Sequence, residues 1–247
     1  MKVQQYRERL RSLTDWDSFL LENSGLPGPR GNIELALAVA EEGDERLFLR
    51  LVSYGPEQAP TGTAEEFLAF CGTVGLGTLL ARGDDRFLKI LRQQACDPRW
   101  RIREGVAMAL QRLGDVDMDR LIDWMRGWAG GSPLEMRAAV AALCEPRLLV
   151  RSECALQVLD LLDRITASLA EAKDRRSDEF RTLRKGLGYC WSVAVAALPV
   201  EGKAKMERWL EADDRDVIWV MKENLRKNRL ARLDPDWVRQ WRRRLGI

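Results

Sequence analysis

The feature that most constrains this chain is a pattern that returns along it. From Asp97 an aspartate is followed at +5, +9, +12 and +13 by Ile102, Val106, Ala109 and Leu110, with Arg103 directly after the first apolar residue. Spacings of three and four put those apolar residues on one face of a helix, and an aspartate ahead of them suits the N-cap. The same frame recurs from Asp178, with Leu183, Arg184, Leu187, Cys190 and Trp191, and more loosely from Asp213, with Ile218, Trp219 and Leu225. Weaker copies centre on Ile33-Glu34, Leu68-Ala69 and Met136-Arg137. Anchors at 34, 69, 103, 137, 184 and 219 lie 35, 34, 34, 47 and 35 residues apart. The single long step is explained by an extended partner helix expected over Leu148 to Lys173.

Breakers punctuate the chain at Pro27 to Gly31, Gly55 to Gly62, Gly83 to Asp85, Gly114 to Asp117, Gly130 to Pro133 and Pro199 to Gly202, and no stretch alternates as a strand does. Many short helices follow from this. A helix pair alone leaves an apolar face in water, so a near-constant period means pairs that stack on one another. The unit DPRWRIREGVAMAL resembles the HEAT-repeat pattern D-x-x-x-x-V-R-x-x-A-x-x-A-L. That resemblance implies an all-α fold: a right-handed α-α superhelix of about six HEAT-like helix pairs, one solenoid domain over 1–247, with its second helices lining a concave face. Val106, Leu110, Val140, Leu187 and Leu225 are then core positions.

Composition narrows the chemistry. The chain has no histidine, which removes Ser-His-Asp triads, Cys-His dyads and histidine-ligated metal sites; no metal site is expected. Neither a G-x-x-x-x-G-K-[ST] loop nor a G-x-G-x-x-G after a strand occurs, so no nucleotide or other cofactor is expected. Five cysteines, odd in number and without a C-x-x-C pair, suit reduced thiols. With 46% hydrophobic and 32% charged residues, and neither an apolar run of membrane-span length nor a signal-like start, the expectation is a globular cytoplasmic protein with no membrane partner.

Nine tryptophans stand against six Phe and three Tyr, several beside basic residues: Trp100 with Arg99 and Arg101, Trp124 and Trp128 flanking Arg126, Trp219 near Lys222 and Arg226. Aromatic faces interleaved with arginine suit a cation or a phosphate backbone; they equally suit packing between repeats. Lys222 to the C-terminus holds nine Lys and Arg against three Asp and Glu, whereas 34–66 holds two against eight. The asymmetry is compatible with a nucleic-acid clamp, an acidic protein partner or self-association. The candidate binding residues are Trp100, Arg101, Arg103, Arg137, Arg184, Trp191, Trp219, Lys222 and Arg226. Lys222 falls in the frame where Val106 and Leu187 stand, either through a slip of register or as a polar feature of the concave wall.

The reading that follows is a non-enzymatic binding module for a protein partner or duplex DNA. An alternative comes from a second resemblance. The segments DPRWRIREGVAMALQRLGD and WVMKENLRKNRLARLDPDW are similar to repeats of the alkylpurine DNA glycosylase family, which implies a DNA-binding groove and excision of alkylated bases. The likeness extends to single repeats and assigns no catalytic residue, so that role is unknown. Asp97, Asp115, Asp123 and Asp213 are the carboxylates nearest to Trp and Arg; Asp97 and Asp213 are also expected caps.

Overall fold

The computed structural model describes residues 2–247: fifteen α-helices and one 3-10 turn, with no strand among the described residues. The protein is all-α, as the spacing predicts. The helices fall into two compact units, residues 1–117 and 118–247.

The first unit contains α1 (Lys2–Arg11), α2 (Asp17–Glu22), α3 (Ile33–Glu42), α4 (Glu45–Val52), α5 (Ala64–Ala81), α6 (Arg86–Gln94) and α7 (Trp100–Val116). Helices α3, α5 and α7 pack side by side in that order, while α4 covers α5 and α6 bridges α5 and α7. Helix α5 is the axis of the unit, with Phe67, Leu68, Cys71, Val74, Leu76 and Leu80 all buried. Each such side chain removed from water contributes about 1.5–3 kcal/mol. The backbones of α5 and α7 meet at Gly77, where a Cβ would stand 2.4 Å from the Ala109 Cα. By length and composition α5 could cross a membrane, yet 78% of it is buried within the protein.

The second unit contains α8 (Met118–Trp128), α9 (Pro133–Leu143), a 3-10 turn at Pro146–Leu148, α10 (Ser152–Ala170), α11 (Asp178–Ala197), α12 (Pro199–Leu210), α13 (Arg215–Leu225), α14 (Asn228–Leu233) and α15 (Pro235–Leu245). Here α11 is the axis, packed between α9 and α13, with α10 and α12 against it. Two glycines let its neighbours close in: a Cβ at Gly186 would touch Arg137 of α9 at 3.2 Å, and one at Gly188 would touch Glu223 and Trp219 of α13 at 3.2 and 3.4 Å. The register of α11 on α13 is fixed by buried Asn224. Its side-chain amide donates to the Leu187 and Val220 carbonyls, both at 2.8 Å, and its carbonyl oxygen accepts from the Ser192 amide at 2.7 Å.

All six anchors lie on alternate helices: Glu34 on α3, Ala69 on α5, Arg103 on α7, Arg137 on α9, Arg184 on α11 and Trp219 on α13. Several local expectations need correction. The caps are shifted: Arg99 precedes α7, Ser177 caps α11 by accepting from the Phe180 amide, and Asp214, not Asp213, caps α13. The partner helix is shorter than Leu148 to Lys173, because Pro146 sets a 3-10 turn and α10 runs only Ser152–Ala170. The break expected over Pro199 to Gly202 is narrower: α11 ends at Ala197 and the proline opens α12 at its first position, where its missing N–H costs nothing, so Gly202 lies inside α12. Likewise the break expected over Gly114 to Asp117 narrows to Asp117, since α7 runs on to Val116.

Candidate functional site

In the second unit the turn before α11, the first turns of α11 and the start of α13 surround an open cavity of about 330 Å³, lined by Arg175, Arg181, Arg184, Arg215, Asp216 and Trp219. The local sequence explains the gathering. Asp214 caps α13 by accepting from the Asp216 and Val217 amides at 2.9 and 3.0 Å, which fixes where Arg215 and Asp216 emerge. Residues 181, 184 and 188 share a face of α11, as 215, 219, 222 and 226 do on α13, because each step is three or four. Gly188 leaves room for the Trp219 ring, and the Arg184 guanidinium lies over that ring with its Cζ 4.4 Å from the centroid.

Charge here is positive. Asp216 is buried and both its oxygens are engaged, one by Arg184 and the other by Arg175 at 3.2 Å. Arg175 also pairs with Asp214 at 2.6 Å, and exposed Arg181 with Asp178 at 3.0 Å. Four guanidiniums therefore line the cavity against one carboxylate, and counting Asp178 and Asp214 still leaves positive charge in excess. Burial pushes the Asp214 carboxyl up, but the Val217 amide and Arg175 more than offset this and hold it below the ordinary carboxylate range. Arg184 Nε is buried with no hydrogen-bond partner, and Arg215 comes no closer than 3.7 Å to Asp216. The exposed guanidiniums of Arg181 and Arg215 beside an aromatic face are donors of the kind that can take up phosphate or carboxylate oxygens.

The first unit holds a different cavity, about 290 Å³, lined by Arg30, Gly31, Ile33, Phe67, Phe70, Trp100, Arg101, Glu104 and Met108. The Phe67 and Phe70 rings, three residues apart on α5, have centroids 6.2 Å apart. Arg101 donates to Glu66 Oε2 at 2.9 Å and to the Gly28 carbonyl at 2.8 Å, with its Cζ 4.5 Å from the Trp100 ring centroid. Glu66 is fully buried and also accepts from the Gly62 amide at 2.8 Å. The ion pair is incompletely satisfied: Glu66 Oε1 and Arg101 Nε have no partner.

The nine candidates thus divide. Arg184 and Trp219 come together in the second unit, with Lys222 and Arg226 further along the same face of α13; Arg226 pairs with Glu223. Arg137 stands on α9 beside Gly186. Trp100 and Arg101 belong to the cavity of the first unit. Arg103 turns back to the preceding loop, donating to the Asp97 and Pro98 carbonyls at 2.6 and 2.9 Å. Trp191 is removed from any surface: it is fully buried, and its Nε1 donates to Thr166 Oγ1 at 3.0 Å. The position of Lys222 is a slip of register, since Val220, Met221, Asn224 and Leu225 form the buried face of α13.

Asp97 is buried and chelates Arg99 at 2.9 and 2.7 Å, Asp123 is exposed and pairs with Arg126, and Asp115 and Asp213 are exposed. Sequence reasoning missed Arg175, Arg181, Arg215 and Asp216, whose runs DRRSDEFR and DDRD read as a solvated tail and a cap. Glu66, Phe67 and Phe70 were hidden in what reads as a core helix. Among the described residues no three His, Cys, Asp or Glu side chains gather as metal ligands. The chain matches no protein-family model, no curated protein and no solved structure.

Proposed function

We propose that this chain is a non-enzymatic binding module, a HEAT-like array of about six helix pairs in a right-handed superhelix, which holds the phosphate backbone of duplex DNA along the α9–α11–α13 face. The array is supported by the placement of its anchors on alternate helices. The observation that carries the partner is the cluster of Arg175, Arg181, Arg184 and Arg215 around a cavity walled by Trp219. Arginine forks meet phosphate oxygens in two parallel hydrogen bonds, and such contacts bind without reading sequence. An acidic protein segment is the second partner class that this charge fits.

Base excision, the alternative, asks for a carboxylate beside two tryptophans and an arginine. Each of the two cavities has one tryptophan, and the carboxylate in the arginine-rich one is taken up by ion pairs. Binding without chemistry is therefore the reading that these two cavities favour.

Fluorescence anisotropy with a short labelled duplex tests it. Micromolar or tighter binding at low salt is expected, falling steeply as salt rises because each phosphate contact releases counterions. The exposed pair Arg181→Glu and Arg215→Glu is expected to weaken binding at least tenfold with no loss of helicity, while Arg46→Glu in the first unit leaves it unchanged. No binding at low salt, or equal binding by the double variant, overturns the DNA reading; capture of poly-glutamate in its place moves the partner to acidic protein. Release of a base from an alkylated duplex would move the protein to the glycosylase class.

A further inference from the structure

The arginine cavity at the start of α11 does not exhaust the positive charge on that helix. Arg181, Lys185 and Tyr189 follow one another at steps of four and are all exposed, so they form one stripe along α11. At 1.5 Å per residue the stripe is about 12 Å long. It ends in a second pairing of an arginine with an aromatic ring. Helix α14 packs against α11 and is anchored by buried Leu230. The residue before that anchor, Arg229, lies over the Tyr189 ring with its Cζ 4.6 Å from the centroid, and its Nη2 donates to the Tyr189 hydroxyl at 2.5 Å.

This pairing leaves donors unspent. Among the described residues Arg229 has no carboxylate partner and makes no other hydrogen bond. Of the carboxylates on α13, Asp216 is taken by Arg184 and Arg175 and Glu223 by Arg226, while α14 has none. The Tyr189 oxygen accepts from Arg229, so its own proton remains to be donated. A guanidinium fixed through one N–H and presenting the others, beside a hydroxyl with a proton to give, matches an oxyanion. Because the ring and hydroxyl orient Arg229 in advance, little ordering accompanies the contact.

We infer that Arg229 and the Tyr189 hydroxyl form a second phosphate contact, so that one strand of the duplex runs from the arginine cavity along α11, over Lys185, to Arg229. On each strand a phosphate recurs every ~3.4 Å of axis, so a stripe of about 12 Å meets more than one. The inference rests on the DNA reading and adds to it a direction and a second point of contact.

Anisotropy of the full chain with the same labelled duplex, read as affinity against salt, tests it. Arg229→Ala is expected to weaken binding about fivefold and to lower the slope of log affinity against log salt by about 1, the share of one phosphate. Tyr189→Phe keeps the ring and every charge; it is expected to weaken binding at least about twofold with the slope unchanged. Arg164→Ala, at an exposed arginine of α10 beside Gly130, is expected to change neither. The melting temperature is expected to hold in all three. Undiminished binding by Arg229→Ala or by Tyr189→Phe, while Arg181→Glu with Arg215→Glu still weakens it, overturns the second contact and leaves the DNA reading standing. Equal loss in Arg164→Ala reduces the effect to net charge and overturns the contact too. No binding by the parent chain at low salt overturns both.

Discussion

The two units solve the same problem, an arginine beside a tryptophan, in opposite ways. In the first, Arg101 is sunk into the protein against a fully buried Glu66, and Trp100 lies over it with its ring 45% exposed. In the second, Arg184 is 27% exposed over Trp219, shares Asp216 with Arg175, and has exposed Arg181 and Arg215 beside it. Neutralised charge in the interior makes a mostly apolar cavity with its charges paired at the edge. Surplus charge at the surface makes an open cavity with positive charge in excess. The same motif, an arginine stacked on tryptophan, thus stands in two electrostatic settings that differ in how far its charge is balanced.

The sharpest way to break the comparison is to remove one partner of each central carboxylate pair. Glu66→Ala leaves Arg101 charged and buried, and is expected to lower stability by about 3–5 kcal/mol in urea denaturation. Much of that returns in the Glu66→Leu, Arg101→Met double variant, because a well-packed apolar pair avoids the desolvation of both charges. Asp216→Asn is expected to cost less, about 1–3 kcal/mol, since its arginine partners keep access to water. The same change removes a negative charge from the arginine cavity, so DNA affinity is expected to rise a few-fold by anisotropy; a fall would place the DNA contact elsewhere.

Acid acts on both units alike. Arg11 and Arg7 hold the Glu42 carboxyl below its ordinary range in the first unit, as the Val217 amide and Arg175 hold Asp214 against burial in the second. A carboxylate depressed by folding contributes stability that is complete above its unfolded value, about pH 4, and is lost as pH falls through the folded value. Melting temperatures are thus expected to be flat from about pH 7 to about pH 5 and to fall progressively below about pH 4. Replacing Glu42 with Gln is expected to shrink that fall. The smallest effect on stability is Trp100→Ala, which is expected to cost about 1 kcal/mol, since the residue is 45% exposed and stacks on Arg101. A larger loss would make Trp100 part of the core.

Much of the helical order could be read from residues alone, because periodic burial is what spacing encodes: Ile102, Val106, Ala109 and Leu110 are all buried on α7. Chain punctuation was less legible. A glycine or proline reads as a break whether it ends a helix or, like Gly202 against the Val195 backbone at 2.7 Å, makes room inside one. The sites were legible only by halves. Arg184 and Trp219 stood out in the repeat frame, but Arg175 and Arg215 come from loops and helix starts, where no periodicity applies. Trp191 was misplaced because an indole beside polar neighbours looks the same in sequence whether its N–H meets solvent or Thr166.

Asn224 has a further consequence, one of timing. Its carbonyl oxygen takes the Ser192 amide, so a proton in the middle of α11 is held by a side chain of α13. That contact is lost when α13 lifts away, so exchange of the amide quickens as the two helices separate. Its deuterium uptake is therefore a clock for the loosening of the two helices that carry Arg184 and Trp219, and a bound anion spanning them would slow it.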